Sequence, residues 1–113
     1  MAKTVTAAEM KARERAANEA GLLYIQMMEN AGRAAYAELK RRVPALRRLL
    51  IVAGKGNNGG DGFVMARVAA KEGMRVRVLL AEGEPKTPDA QTNLALLAET
   101  AAEVVHAPED VRF

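Results

Sequence analysis

Leu49-Leu50-Ile51-Val52-Ala53-Gly54-Lys55-Gly56-Asn57-Asn58-Gly59-Gly60-Asp61-Gly62 runs from five apolar residues straight into a loop in which five of nine positions are glycine. An unbroken apolar run of five residues ending at glycine is how a strand buried on both faces of a parallel sheet reads. Glycines after such a strand let the backbone come close to a phosphate and turn its amides inward. A helix starting at the loop's end adds the positive end of its dipole. The segment therefore predicts a strand–loop–helix unit whose loop binds a nucleotide's phosphates.

Outward from this unit the pattern repeats. Asp61 or Gly62 opens a helix through about Glu72, with Val64, Met65, Val68 and Ala69 on its inner side and Gly73 closing it. Val76-Arg77-Val78-Leu79-Leu80 reads as a second strand, a helix follows from about Asp89 to Glu99, and Glu103-Val104-Val105-His106 reads as a third strand. Strands alternating with helices indicate a parallel α/β sheet with right-handed crossovers. Upstream, Thr6-Ala7-Ala8-Glu9 has the form of a capping box opening a helix that Gly21 stops. A second helix runs from about Leu23 to Arg42, with Met27, Ala31, Ala34, Ala35 and Leu39 as its buried face, and Pro44 ends it.

The bulk numbers bound the function. The 113 residues make one small domain, and the excess of Lys plus Arg over Asp plus Glu is 17 − 14 = 3. That balance suits an anionic small molecule and does not demand nucleic acid; the cations Lys40-Arg41-Arg42 and Arg47-Arg48 read as a solvated helix end or, failing that, as a nucleic-acid or partner patch. With no cysteine, disulfides, thiolate metal sites and Cys nucleophiles are excluded. No apolar run approaches the roughly 20 residues of a membrane span, and the start lacks a secretory h-region. The expectation is a soluble, cytoplasmic protein.

The loop admits finer reading. Gly54-x-Gly56-x-x-Gly59 satisfies the dinucleotide fingerprint, and Glu82 follows near the second strand's end, where a ribose-binding acid sits in such folds. No Gly-Lys-Ser/Thr ending makes it a nucleoside-triphosphate loop. Asn57 and Asn58 offer amide donors to phosphate and carbonyl oxygens to hard cations. Asp61 either caps the helix or touches the ligand, and the two roles are compatible. Glu29-Asn30, polar in mid-helix, reads as an interhelical or loop-supporting hydrogen bond, or else a subunit contact. Met10, Met27, Met28, Met65 and Met74 read as core packing, and His106 as a sheet-end residue.

Val5-Thr6-Ala7-Ala8-Glu9-Met10, Met28-Glu29-Asn30-Ala31-Gly32-Arg33 and the Gly54–Gly62 loop, in this order and spacing, resemble the YjeF N-terminal domain, the family of the NAD(P)H-hydrate epimerases. The resemblance implies a Rossmann-like three-layer α/β/α sandwich with a parallel sheet, two N-terminal helices before it, and residues 1–113 as the N-terminal part of the domain. It implies an isomerase that interconverts the R and S forms of hydrated NADH or NADPH, so that a fused or separate ADP/ATP-dependent dehydratase repairs the S form. By the same resemblance Asn57, Asn58, Gly59, Gly60 and Asp61 bind substrate, Asn58 is a ligand to a potassium ion, Lys86 stands near the active site as catalytic residue or as an exposed loop lysine, and the protein is a homodimer. The family's later acid-bearing motif is not among these residues, which leaves a catalytically incomplete nucleotide-binding or scaffold module as the alternative.

Overall fold

The computed structural model describes residues 7–111, with side chains from Leu23 onward except those of Asn57 and Asn58. The elements are α1 (Ala7–Arg42), β1 (Arg48–Ala53), α2 (Asn57–Lys71), β2 (Arg75–Leu80), α3 (Pro88–Leu97), β3 (Glu103–Val105) and a 3-10 turn (Pro108–Val111). The three strands are parallel in the order β1-β2-β3, with Ile51 beside Val78 and Val78 beside Val104. A monotonic strand order with right-handed crossovers puts α2 and α3 on one face of the sheet. The α/β class and the strand–helix alternation are as the sequence predicts.

The core lies between α2 and that face. Phe63, Val64, Ala66 and Ala69 of α2, Val76, Val78 and Leu80 of β2, and Ala90 and Leu97 of α3 are buried. Val76, Val78 and Leu80 alternate along β2, as a pleated strand with one face on a core requires. Gly73, at φ +88°, closes α2 and lets Met74 N–H bond back to Ala69 O. The 3-10 turn packs on β2, where Arg77 donates Nη1 to Asp110 O at 2.8 Å.

Four expectations are corrected. First, α1 is one helix of 36 residues, not two. An interior glycine costs a helix only about 1 kcal/mol, so Gly21, between strong helix formers, does not break it. The capping Thr6 and the motif residue Val5 lie outside the described residues.

Second, the buried face of α1 is Met28, Gly32 and Tyr36, while Met27, Ala31, Ala34 and Ala35 are exposed and Leu39 is half-buried. Both sets have helical spacing. The glycine favours the first set, because there α1 and α2 come into close contact: a Cβ at Gly32 would stand 2.5 Å from the Val64 side chain and 2.8 Å from Asp61 O.

Third, β1 is not buried on both faces. It is the sheet's edge among the described residues, with Leu50 40% and Val52 62% exposed, while Leu49 and Ile51 pack on the core.

Fourth, α2 begins at Asn57, four residues before the expected start, with Gly56 as its cap and no side-chain cap bond. Asp61 therefore lies in the second turn and caps nothing.

Candidate functional site

The site begins where β1 ends. The β1–β2 ladder continues one step past the strands, with Ala81 N–H bonded to Ala53 O at 3.1 Å, so the two strand ends leave the sheet side by side. Lys86 N–H then bonds Lys55 O at 2.8 Å, which lays the β2–α3 loop along the glycine loop. Lys55 and Lys86 are both exposed.

The glycines hold this corner in distinct ways. A Cβ at Gly59 would collide with the Gly54 carbonyl oxygen, so the loop closes only because that position has none. A Cβ at Gly60 would come within 2.5 Å of Met28 Sδ and 3.3 Å of Ala90 Cα, so Gly60 is where α1, α2 and α3 converge. Gly56 differs: nothing lies within 4 Å of the Cβ it lacks. Its openness, at the cap of a 15-residue helix, leaves room for a ligand to approach the free amides of the first turn. Glycines at 59, 60 and 62 inside α2 explain why the sequence read as loop where the chain is helix.

Asp61 leaves the loop on the helix side. It is half-buried, and burial raises its pKa above the ordinary carboxylate value. A cleft of about 220 Å³ is lined by Tyr24, Met27, Met28, Ala31, Asp61 and Asp89, so α1, α2 and α3 each contribute a wall. Beneath it Asn93, 2% exposed, donates Nδ2 to Asp89 O at 3.1 Å and stands 3.0 Å from Met28 Sδ. Asp89 and Asn93 had no sequence signal beyond their place near a helix start. Gly32 and Met28 had one, the four-residue spacing from Met28 through Gly32 to Tyr36.

Glu29 secures α1 to α2. It accepts from Arg67, whose side chain is 9% exposed, and from Arg33 one turn along its own helix. The expected interhelical hydrogen bond is therefore made by Glu29. Asn30 is exposed and accepts from Gln26, at 3.0 Å on the same helix. Met28 packs in the core as expected, whereas Met27 stays 53% exposed.

The predicted site residues fall into two groups. Gly59, Gly60 and the backbone of Asn57 and Asn58 form the first turn of α2, with Lys86 brought alongside through Lys55. Asp61 turns away into the interhelical cleft. His106 is joined to Glu84 at 3.1 Å, both 64% exposed, and lines neither region. Among the described residues no group of three His, Cys, Asp or Glu is placed to hold a metal, and no helix is long and apolar enough to cross a membrane. The side chain of Asn58 lies outside the described residues.

Residues 24–113 match the family model described as YjeF-related protein N-terminus. The bifunctional NAD(P)H-hydrate repair enzyme Nnr of Pyrobaculum aerophilum is 41% identical over 91 residues, covering 80% of this chain and 18% of that protein. The enzyme of the same name from Moorella thermoacetica is 46% identical over 97 residues, covering 81% of this chain and 18% of its own. The NAD(P)H-hydrate epimerase of Rhodobacter capsulatus is 37% identical over 102 residues, covering 82% of this chain and 48% of that protein. Among solved structures, the yeast protein YNL200c superposes with a TM-score of 0.67 at 26% identity, covering 76% of this chain and 39% of the yeast chain. The chain thus spans about half of the epimerase it matches, 48%, and about a fifth of the bifunctional enzymes, 18%.

Proposed function

This chain belongs to the YjeF-related N-terminal family, and on that premise we propose that it is the nucleotide-binding part of an NAD(P)H-hydrate epimerase. The observation that carries the reading is the corner at Gly54–Gly62. Its glycines are required by close backbone approach at Gly59 and Gly60 and are left open at Gly56, where the first turn of α2 offers amides to a pyrophosphate.

Inverting the hydroxyl-bearing carbon of a hydrated nicotinamide needs a positioned group that gives and takes a proton. Asp61 suits that task, because burial lets its carboxyl hold a proton at a higher pH than a surface carboxyl does. The cleft beside it, walled by Tyr24 and Met27, has an apolar side for a reduced nicotinamide ring. Lys86, whose backbone N–H is tied to Lys55 O, would be the cation that approaches the substrate from the strand side.

Asn58 would hold a potassium ion. The donor chemistry fits, since an amide carbonyl is a hard oxygen ligand. A potassium ion there supplies positive charge beside the phosphates.

The exposed apolar residues of α1 outside that cleft, Leu23 with Ala34 and Ala35, favour a homodimer that covers them. The bifunctional names of the Pyrobaculum and Moorella relatives favour a dehydratase acting on the same substrate, fused or separate.

The test mixes the protein with the R form of NADPH hydrate and an S-specific dehydratase and follows NADPH absorbance. Complete conversion at a rate proportional to the protein supports the epimerase. No acceleration over spontaneous epimerisation, with hydrate binding retained, identifies a binding module instead. Asn58→Ala weakens hydrate binding if the loop is the site, and unchanged affinity counts against it.

A further inference from the structure

Glu82 stands beside the first glycine of the loop. Gly83, at φ +85°, bonds its N–H to Leu80 O at 3.2 Å and so turns the chain immediately after β2. The Glu82 side chain is thereby laid across the end of β1. Its Oε1 lies 3.4 Å from Lys55 N and 2.6 Å from where a Cβ of Gly54 would be. Gly54 is thus the position whose missing side chain admits this carboxylate. Among the described residues Glu82 forms no ion pair, so its remaining acceptor positions are free for a ligand.

In a strand–glycine loop–helix unit, a nucleotide whose pyrophosphate sits on the helix N-terminus carries its adenosine ribose over the end of the second strand. A carboxylate there accepts hydrogen bonds from ribose hydroxyls and repels a phosphate on the 2′ position. We infer that Glu82 reads the adenosine ribose and selects the hydrate of NADH over that of NADPH. This rests on the loop being a dinucleotide site, and it adds which dinucleotide the site takes.

The surroundings make Glu82 decisive. Lys55 and Lys86 are joined through their backbones at 2.8 Å and both side chains are exposed, so two cations belong to the same corner. With the carboxylate neutralised, those cations are what a 2′-phosphate would meet. The Glu82 carboxylate, laid against Gly54, sets the preference against them.

The test titrates the protein with the hydrates of NADH and NADPH and compares it with Glu82→Gln, which keeps the size and one acceptor oxygen. The wild-type protein is expected to bind NADH hydrate about tenfold more tightly, equivalent to about 1.4 kcal/mol. Glu82→Gln is expected to gain affinity for NADPH hydrate by a similar factor, so that the ratio falls to near one or inverts. Glu82→Asp, which keeps the charge, retains a preference for NADH hydrate. Equal affinities in the wild type, or a ratio that Glu82→Gln does not move, overturn the role of Glu82 and leave the nucleotide site standing. Failure of the wild-type protein to bind either hydrate overturns the nucleotide site and this inference with it.

Discussion

Glu29 of α1 and Arg67 of α2 hold each other across the contact between the two helices, with the Arg67 side chain only 9% exposed. Glu29 serves Arg33 as well, but that arginine is 57% exposed and on the same helix. The two pairs differ in what removal leaves behind. Loss of Glu29 strands a cation in the interior, whereas loss of Arg33 strands nothing.

Glu29→Ala is therefore expected to destabilise the fold by about 3 kcal/mol, the range for breaking a buried pair from one side. Arg33→Ala changes stability by less than about 0.5 kcal/mol, as exposed pairs within a helix do. Urea unfolding of the two variants against the wild type measures both. A Glu29→Ala cost as small as that of Arg33→Ala would show that the interhelical pair does not matter.

The glycines separate packing from binding. Gly60→Ala forces Met28 and Ala90 apart and is expected to cost about 1–3 kcal/mol, the range for overpacking. Gly56→Ala meets nothing within 4 Å, and its backbone, φ −93° and ψ −164°, suits any residue. It is expected to keep the wild-type melting temperature within a degree or two, for a change of under about 0.5 kcal/mol, while weakening hydrate binding several-fold. A Gly56→Ala protein that binds as the wild type does would move the phosphates away from the first turn of α2.

Asp61 gives a pH-dependent signature. Its folded pKa is raised by burial, so ionising it costs the folded state more than the unfolded one. Any stabilisation from the protonated form is fully present below the unfolded value, about 3.9, and is lost as pH rises through the folded pKa. Asp61→Asn is thus expected to be more stable than the wild type at neutral pH, because the amide carries no charge to desolvate. The difference vanishes below the unfolded pKa. The same variant loses epimerisation if Asp61 handles the proton. Melting curves across pH 3–8 read the first effect and the coupled dehydratase assay the second; a variant less stable than wild type at neutral pH would contradict the cost of ionisation.

Tyr36 acts at the other end of the pH scale. Burial first, and the Glu72 carboxylate second, push its hydroxyl up to about 12 from 10.0. The neutral phenol is favoured in the fold, so its stabilisation is complete below the unfolded value and is lost between the two values as pH rises. Wild-type stability is expected to fall across that window by about 2 kcal/mol more than that of Tyr36→Phe. Parallel denaturation profiles for the two proteins up to the folded value would remove Tyr36 as the cause.

Much of this molecule is legible in its sequence, and the exceptions share a cause. Strand β2, the closing Gly73 and helix α3 are written in local patterns of alternation, glycine and proline, which act on the few residues beside them. The packed face of α1 is not local. An alanine-rich helix has apolar residues all round, and contacts made across the chain, Gly32 with Val64 and Met28 with Gly60, select Met28 and Tyr36 over Met27 and Ala31. Glu29 was legible as a mid-helix polar group, but its partner lies 38 residues along the chain. The start of α2 was misread for another reason. Glycine is a poor helix former in isolation, yet at 59 and 60 its lack of a side chain lets the first turn press against Gly54 and Met28. Asp61, placed at the helix start by the sequence, thereby moves one turn inward and towards a cleft that no linear pattern announces.

The apolar composition of β1 also bears on how the protein behaves at high concentration. Among the described residues β1 has a neighbour on one side only, and Leu50 and Val52 face outward. A strand with free amides and carbonyls along one margin is a template for another strand. Whatever lies along that margin, whether more of the same polypeptide or a second molecule, governs colloidal behaviour more than it governs the core between α2 and β2. Turbidity and particle size would therefore respond to a charge placed at Val52 while the melting transition stayed where it was.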